Sequence, residues 1–471
     1  MSRAPADVAR RPGYAAREAA TRLLAAVLDD RQPLDAVMET DATLSRLEPR
    51  DRALARAIVG TTLRRHGTID AVLSALIDKR PRNAGALLRI METAAAQVLF
   101  MGVADHAAVS VAVDQIAADR DARHFKGLAN AVLRRMARER DALLARADTP
   151  SRNTPAWLWR RWVAAYGEAA ARGIAEAHKL EPSLDLSVKS DPTGWAEKLG
   201  GIVLQTGTVR TVASGDIPSM PGFGEGEWWV QDAAAALPAK LVRDPAGKRI
   251  ADLCAAPGGK TAALALAGAK VTAVDISAPR LERLAQNLKR LRLTAETVAA
   301  DVLTWEPRQE ARSEPSRATG NLKEARTADG RTGTQESLFD AILLDAPCTA
   351  TGTIRRHPDV AWLKQPEDVA SLAGLQARMI DRAVALLKPG GTLIYCTCSL
   401  EPEEGERHLA SALARLPVRL VPVVPGEIGG LSEAIAPEGT LRTLPAHLPH
   451  ATPRLGGLDG FFVMRLEKLR A

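Results

Sequence analysis

Between residues 15 and 145 apolar positions recur at helical spacing: Leu87, Met91, Ala94, Val98 and Met101 step by four and three along one face. No convincing alternation or hairpin turn interrupts this stretch, so it is expected to be all-helical. The pattern changes near residue 150, where the polar, proline-bearing run RADTPSRNTP is expected to form an interdomain linker. All eight tryptophans follow this point, and the first of them, in PAWLWRRWVAAYG, open a helix. LDLSVK then alternates Leu184, Leu186 and Val188 in the period of a half-buried strand, so the segment before residue 240 reads as a small α+β unit.

From residue 248 short apolar strands alternate with amphipathic helices. KRIADLC, KVTAVDI, ETVAAD, LFDAILLDAP and GTLIYCT are the predicted strands, and helices are predicted over 260–267, 279–291, 366–387 and 402–415. Such alternation predicts a mostly parallel sheet covered on both faces. Its ligand then belongs beyond the carboxyl ends of the strands. Residues 307–337 are charged, rich in Gly, Ser and Thr, and almost free of large apolar side chains. They cannot offset the entropy of ordering and are expected to be a disordered insertion. The organisation expected is an all-α domain over 1–147, a linker and small α+β segment over 148–240, and an α/β Rossmann-like domain over 241–471.

Composition narrows this picture. A chain of 471 residues with 46% apolar and 25% charged residues has the balance of a soluble protein of two or three domains. No apolar run reaches membrane-spanning length, and the early arginines Arg3, Arg10, Arg11, Arg17 and Arg22 are interrupted by Asp7 and Glu18 with no apolar core after them. A cytoplasmic protein with no membrane partner is expected, and four cysteines are too few for a disulfide scaffold. The net charge is +7, and residues 1–150 hold 24 Lys and Arg against 19 Asp and Glu, whereas the other 321 residues hold 39 against 37. The excess inclines weakly toward a polyanionic partner, although a solvated helical surface would show the same imbalance.

The candidate chemistry lies at the strand ends. RIADLC running into AAPGGKTAAL is a strand, a glycine-rich turn and a helix start, which lets backbone N–H groups approach a ligand. A phosphate-binding loop would need glycine five positions before Gly259, but Cys254 stands there, and no G-x-G-x-x-G is present. Asp275 closes the second strand 23 residues after Asp252, near the spacing at which an acid grips ribose hydroxyls, and Asp301 closes the third within reach of an adenine amino group. Each could instead merely cap the next helix. Asp345 and Cys348 follow the fourth strand, Cys396 and Cys398 the fifth. Burial as a small hydrophobe accounts well for Cys254 and Cys396, less well for Cys348 and Cys398 in turn-rich sequence. Zinc is a poor fit because Cys-x-Cys with one distant cysteine lacks a correctly spaced histidine, so no metal is expected.

The motifs DLCAAPGGKT, VDIS, AAD, DAPCTATGTIRRHPDVAW and YCTCSLEPEEGE resemble those of the RNA (cytosine-5)-methyltransferases that use S-adenosylmethionine. LEPRDRALARAIVGTTLRRHGTIDAVL, DHAAVSVAVD and FKGLANAVLRRM resemble the NusB-type RNA-binding domain. The pairing is similar to bacterial enzymes that methylate 16S ribosomal RNA. The resemblance implies a class I methyltransferase fold and methyl transfer to C5 of a cytosine through a covalent cysteine–C6 adduct, by a monomer acting on 16S ribosomal RNA. Transfer RNA as substrate, or an inactive RNA-binding assembly factor, are the alternatives. It also implies that Cys398 is the nucleophile, that Cys348 assists release, and that Asp345 stabilises the adduct at N3. The cofactor would lie on Cys254, Ala255, Ala256, Pro257, Gly258, Gly259 and Lys260, with ribose on Asp275, adenine near Asp301, and Arg280 and Asp345 alongside. Arg355, Arg356 and His357 are candidate contacts to phosphate or the flipped base. His106, Arg134, Arg135 and Arg138 are candidates for more distant RNA contacts.

Overall fold

The computed structural model describes residues 12–212, 216–307 and 339–470. Beyond Pro307, the expected insertion over 307–337 lies outside the described residues.

The N-terminal region is helical, as its periodicity predicts. Leu87, Met91, Ala94 and Val98 of the helix Leu87–Phe100 are almost completely buried, and around this central helix pack His66–Leu76, Asp105–Ala118 and Lys126–Arg138. A second cluster joins Tyr14–Leu28 to Pro49–Arg64 through Leu23, Leu24, Ile58 and Leu63. The stretch expected as a linker is fastened to this domain. Arg65 Nη1 donates to the Asp148 carboxylate at 3.1 Å and Thr68 N to Asn153 Oδ1 at 2.9 Å.

The small α+β unit follows. The helix Ala156–His178 is kinked at Gly167, and four short strands, β1 (Leu184–Val188), β2 (Gly201–Val203), β3 (Val209–Thr211) and β4 (Trp228–Val230), form an antiparallel sheet in the order β2-β3-β1-β4. Its core is Leu186, Val209 and Trp228.

The larger sheet contains β5 (Arg249–Leu253), β6 (Lys270–Asp275), β7 (Glu296–Ala299), β8 (Phe339–Asp345) and β9 (Leu387–Thr397), all parallel, in the spatial order β9-β8-β5-β6-β7. The helices Gly259–Leu266, Ala278–Arg290 and Pro366–Leu386 start and stop within one residue of their predicted bounds. Three strands were not anticipated: β10 (Val418–Leu420), β11 (Leu441–Thr443) and β12 (Phe461–Lys468), which extend the sheet antiparallel beyond β9. β12 is buried on both faces, so its sequence shows no alternation, and β10 and β11 are three residues each. The buried Arg465 in β12 is neutralised by the Glu427 carboxylate at 2.7 and 2.9 Å. The helix predicted over 402–415 is also broken. Pro402–Glu404 is a 3₁₀ turn and the α-helix begins at Glu406, because Gly405 takes a non-helical conformation against the Phe462 ring, which a Cβ would approach to 2.8 Å.

Candidate active site

The carboxyl ends of β5, β6 and β8 frame the first half of the site. After β5 the chain turns through Cys254 at φ 61 and Gly258 at φ 101. Only glycine suits that second position, since a Cβ would come within 2.6 Å of Leu284 Cγ. The turn is pinned by Asp275, whose carboxylate accepts from Ala256 N at 3.1 Å and Ser277 N at 2.9 Å, and by Arg280, which donates to the Ala256 carbonyl. Asp301 is exposed and accepts from Leu303 N at 2.9 Å. Both acids therefore cap the chain that follows them, while remaining at adjacent strand ends beside the turn. Ala255 and Ala256 are buried, Pro257 is exposed, and Cys254 is half-buried with its thiol pushed up by burial and the surrounding aspartates. Asp252 is fully buried, its Oδ2 accepts from Thr261, and its Oδ1 has no hydrogen-bond partner. Burial pushes its carboxyl up to about 7.

Lys260 reaches across from the first turn of its helix to Asp345, Nζ to Oδ2 at 2.8 Å. Burial alone would disfavour the ammonium, but the Asp345 charge beside it outweighs that cost and holds it protonated. Cys396 is completely buried, as expected of a small core residue, although its Sγ also lies 3.5 Å from Asp345 Oδ1.

The remaining two cysteines meet. Cys348 Sγ, three residues beyond β8, stands 3.5 Å from Cys398 Sγ, one residue beyond β9. Both thiols are free, and the separation is well beyond a disulfide bond of about 2.05 Å. Adjacent parallel strands bring the turns together, since β8 and β9 pair Asp345 with Cys396 and the Ala346 N–H donates to the Cys396 carbonyl at 3.0 Å. The proton shared with Cys398, and then burial, push the Cys348 thiol well above its ordinary value.

A buried carboxylate that the sequence did not single out clamps these turns. Glu404, fully buried, accepts from Thr349 N at 2.9 Å, Gln376 Nε2 at 3.0 Å, Thr349 Oγ1 and Ser399 Oγ. Gln376 also donates to the Pro347 carbonyl at 2.8 Å, and the Tyr395 hydroxyl to the Glu404 carbonyl at 2.8 Å. The residues flanking Cys348 and Cys398 thus share one acceptor. In EPEEGE both Glu401 and Glu404 turn inward, and nothing in the run marks which of them accepts from the two cysteine turns.

The expectation that Arg355 and Arg356 face RNA is corrected. Arg355 is 3% exposed and bonds to Asp459 at 2.8 Å and Asp232 at 3.1 Å; Arg356 bonds to Asp232 at 2.6 Å and Asp185 at 3.1 Å. These guanidiniums neutralise carboxylates between the small antiparallel sheet and the larger sheet, and the Asp232 carboxyl is held well below the usual range by them. His357 instead faces the helical domain, its Nδ1 3.2 Å from Asp35. His106, Arg134, Arg135 and Arg138 are exposed, away from the two cysteines in sequence and element.

A parallel sheet with a glycine turn after its first strand and carboxylates at successive strand ends defines the class: an S-adenosylmethionine-dependent methyltransferase. The donor set fits that cofactor, because the unpartnered Asp252 Oδ1 and the carboxylates of Asp275, Asp301 and Asp345 offer acceptors to a cationic, hydroxyl-bearing ligand where backbone can approach it. The family model described as "16S rRNA methyltransferase RsmB/F" matches residues 240–467, and that of the NusB family matches 14–138. Ribosomal RNA small subunit methyltransferase B of Vibrio cholerae is 34% identical over 406 residues, covering 82% of this chain and 87% of that protein. Its counterpart in Pseudomonas putida is 34% identical over 477 residues, covering 97% and 99%. The chain belongs to the ribosomal RNA small subunit methyltransferase B family. A solved structure described as "Crystal Structure of PH0851" shares the fold, with a TM-score of 0.69 at 23% identity over 97% of this chain and 99% of that one. Among the described residues no helix is long and apolar enough to cross a membrane.

Proposed function

We propose that this chain methylates C5 of a cytosine in small-subunit ribosomal RNA through a covalent adduct on Cys398. The observation that carries the reading is the pair of free thiols, Sγ to Sγ 3.5 Å, next to the Lys260–Asp345 pair at the ends of adjacent strands. Cytosine C5 is a weak nucleophile, and addition of a thiolate to C6 places enamine density on C5. Two thiols in such contact cannot both ionise readily, so the pair gives up one proton first. Both thiols are half-buried, so exposure does not choose between them, and the resemblance of Thr397-Cys398-Ser399 to the Thr-Cys-Ser of the RNA enzymes assigns the attack to Cys398. As the thiol adds to C6 its proton passes to N3, and Asp345, oriented by Lys260, accepts a hydrogen bond from the protonated N3 and stabilises the charge that develops as the adduct forms. S-adenosylmethionine supplies an electrophilic methyl group; Cys254 to Lys260, Asp275, Arg280, Asp301 and Asp345 are the residues that would hold it. A base then removes the C5 proton, the C5–C6 double bond re-forms, and Cys398 leaves with assistance from Cys348. The target base must leave its stack to reach this cleft.

The test is transfer of tritiated methyl from S-adenosylmethionine to unmethylated small-subunit ribosomal RNA, followed by mapping of the methylated base. Incorporation as 5-methylcytosine is expected. Transfer to transfer RNA alone would overturn the substrate, and no transfer to any RNA would overturn the enzyme reading.

A further inference from the structure

A cavity of about 390 Å³ lies between the helical domain, the chain that follows the helix Ala156–His178 at Lys179 and Glu181, and the chain just beyond the DAPC motif. Six cations line it: Arg56, Arg64, Arg65, Lys179, Arg356 and His357. Four are already neutralised: Arg65 by Asp148 (3.1 Å), Lys179 by Glu176 (2.8 Å), Arg356 by Asp232 and His357 by Asp35. The two lining acids are likewise taken, Asp35 by His357 and Glu181 by Arg454 at 3.4 Å. Arg56 and Arg64, two turns apart on the helix Pro49–Arg64, are different. Among the described residues neither has a carboxylate within 4.0 Å, and Arg64 spends one N–H on the Arg355 carbonyl at 3.0 Å while its buried Nε has no partner at all. Burial pushes the Arg64 guanidinium down to about 10, an effect the Glu181 charge offsets only in part, so the site holds a cation with no carboxylate in contact with it.

A half-buried guanidinium with an unmade hydrogen bond at its buried Nε, opening on a cavity beside a second arginine with no carboxylate in contact, suits an anion that presents two oxygens along one edge, and phosphate meets that geometry. The cavity wall includes Arg356, His357 and Pro358, eight to ten residues beyond Cys348, so an anion held here lies on the same segment that carries the site. We propose that this interdomain cavity binds a backbone phosphate of the RNA substrate through Arg64 and Arg56, making the helical domain part of the substrate clamp. The proposal rests on the reading that the substrate is RNA. It replaces the Arg355–Arg356 pair, sealed in ion pairs, with two arginines that are free to bind.

The experiment compares the full chain with Arg56→Ala and Arg64→Gln for binding of in-vitro-transcribed, unmethylated small-subunit ribosomal RNA by filter retention across a salt series. Each variant is expected to raise Kd about fivefold to tenfold, with KM for RNA rising in step, and to flatten the dependence of log K on log salt by about 0.7–0.9, the loss of one phosphate contact. S-adenosylmethionine affinity, read by calorimetry, reports whether each variant is folded; Arg56 is exposed, so its variant decides the matter if Arg64→Gln does not fold. Wild-type affinity and salt slope in Arg56→Ala would overturn the proposal. So would an unchanged RNA affinity accompanied by stabilisation of the wild type, and not of the variant, by inorganic phosphate, which would assign the cavity to a free anion. Failure of methyl transfer by the wild type with these binding differences intact would instead count against the proposed reaction alone.

Discussion

The carboxyl edge of the parallel sheet and the junction between the small antiparallel sheet and the catalytic domain are both crowded with charged and polar side chains. They are supplied in part by one run of sequence, from Asp345 to Asp359. At the sheet edge the groups are left reactive: Asp252 Oδ1 is unpartnered, Asp345 answers a single lysine, and two free thiols share one space. At the junction every charge is closed off, with Arg210, Arg355 and Arg356 distributed over Asp185, Asp232 and Asp459. The difference is one of completeness. A site keeps polar groups that a ligand can still satisfy, whereas a structural junction spends all of its own.

Changes at the two places should therefore separate activity from stability. Cys398→Ala is expected to lower methyl transfer at least about a thousandfold, as loss of a nucleophile does, with little change in Tm. Loss of Tm in step with activity would break the comparison from the active-site side. Arg356→Ala should do the opposite, costing about 1.5–3 kcal/mol of stability because Asp232 and Asp185 each lose one charged hydrogen bond and keep only Arg355 and Arg210 as partners; denaturant unfolding with an unshifted midpoint would refute this. Glu404→Ala is expected to fall between, removing about 1–3 kcal/mol by leaving Thr349 N and Gln376 without their acceptor, and lowering kcat because the two cysteine turns lose their common clamp. The smallest effect is on pH. His66 and His408 are pushed down to about 4 and His178 to about 3 by burial, so the unfolded chain takes up protons near pH 6.5 that the folded chain refuses. These three histidines withdraw stability as the pH falls from about 6.5 toward 4, while Asp252 and Glu92, whose carboxyls burial pushes up to about 7, add it over the same range. His178→Gln is expected to lose less Tm than the wild type between pH 7 and 5, and an identical pH dependence in the two would contradict the assignment.

Periodicity carried the helical domain and the five parallel strands, because those elements each bury one repeating face or one short apolar run. It failed at β12, where burial on both faces and the single paired Arg465 erase any alternation, and at Gly405, which splits a helix for the sake of its neighbour Phe462. The cysteines were legible because free thiols at strand ends are unusual. Their contact and the Glu404 clamp depend on strand register, which no local pattern encodes. Arg355 and Arg356 were misread for the same reason: an arginine pair after such a motif looks alike in sequence whether its partners are phosphates or aspartates from distant segments, here Asp185, Asp232 and Asp459.

The division of labour between the two thiols is tested most directly by denaturing electrophoresis of the protein after incubation with radiolabelled, unmethylated small-subunit ribosomal RNA and S-adenosylmethionine. Cys348→Ala is expected to retain labelled RNA as a stable protein adduct, and Cys398→Ala to retain none. An adduct that accumulates in Cys398→Ala and is absent from Cys348→Ala would contradict the account and exchange the two roles.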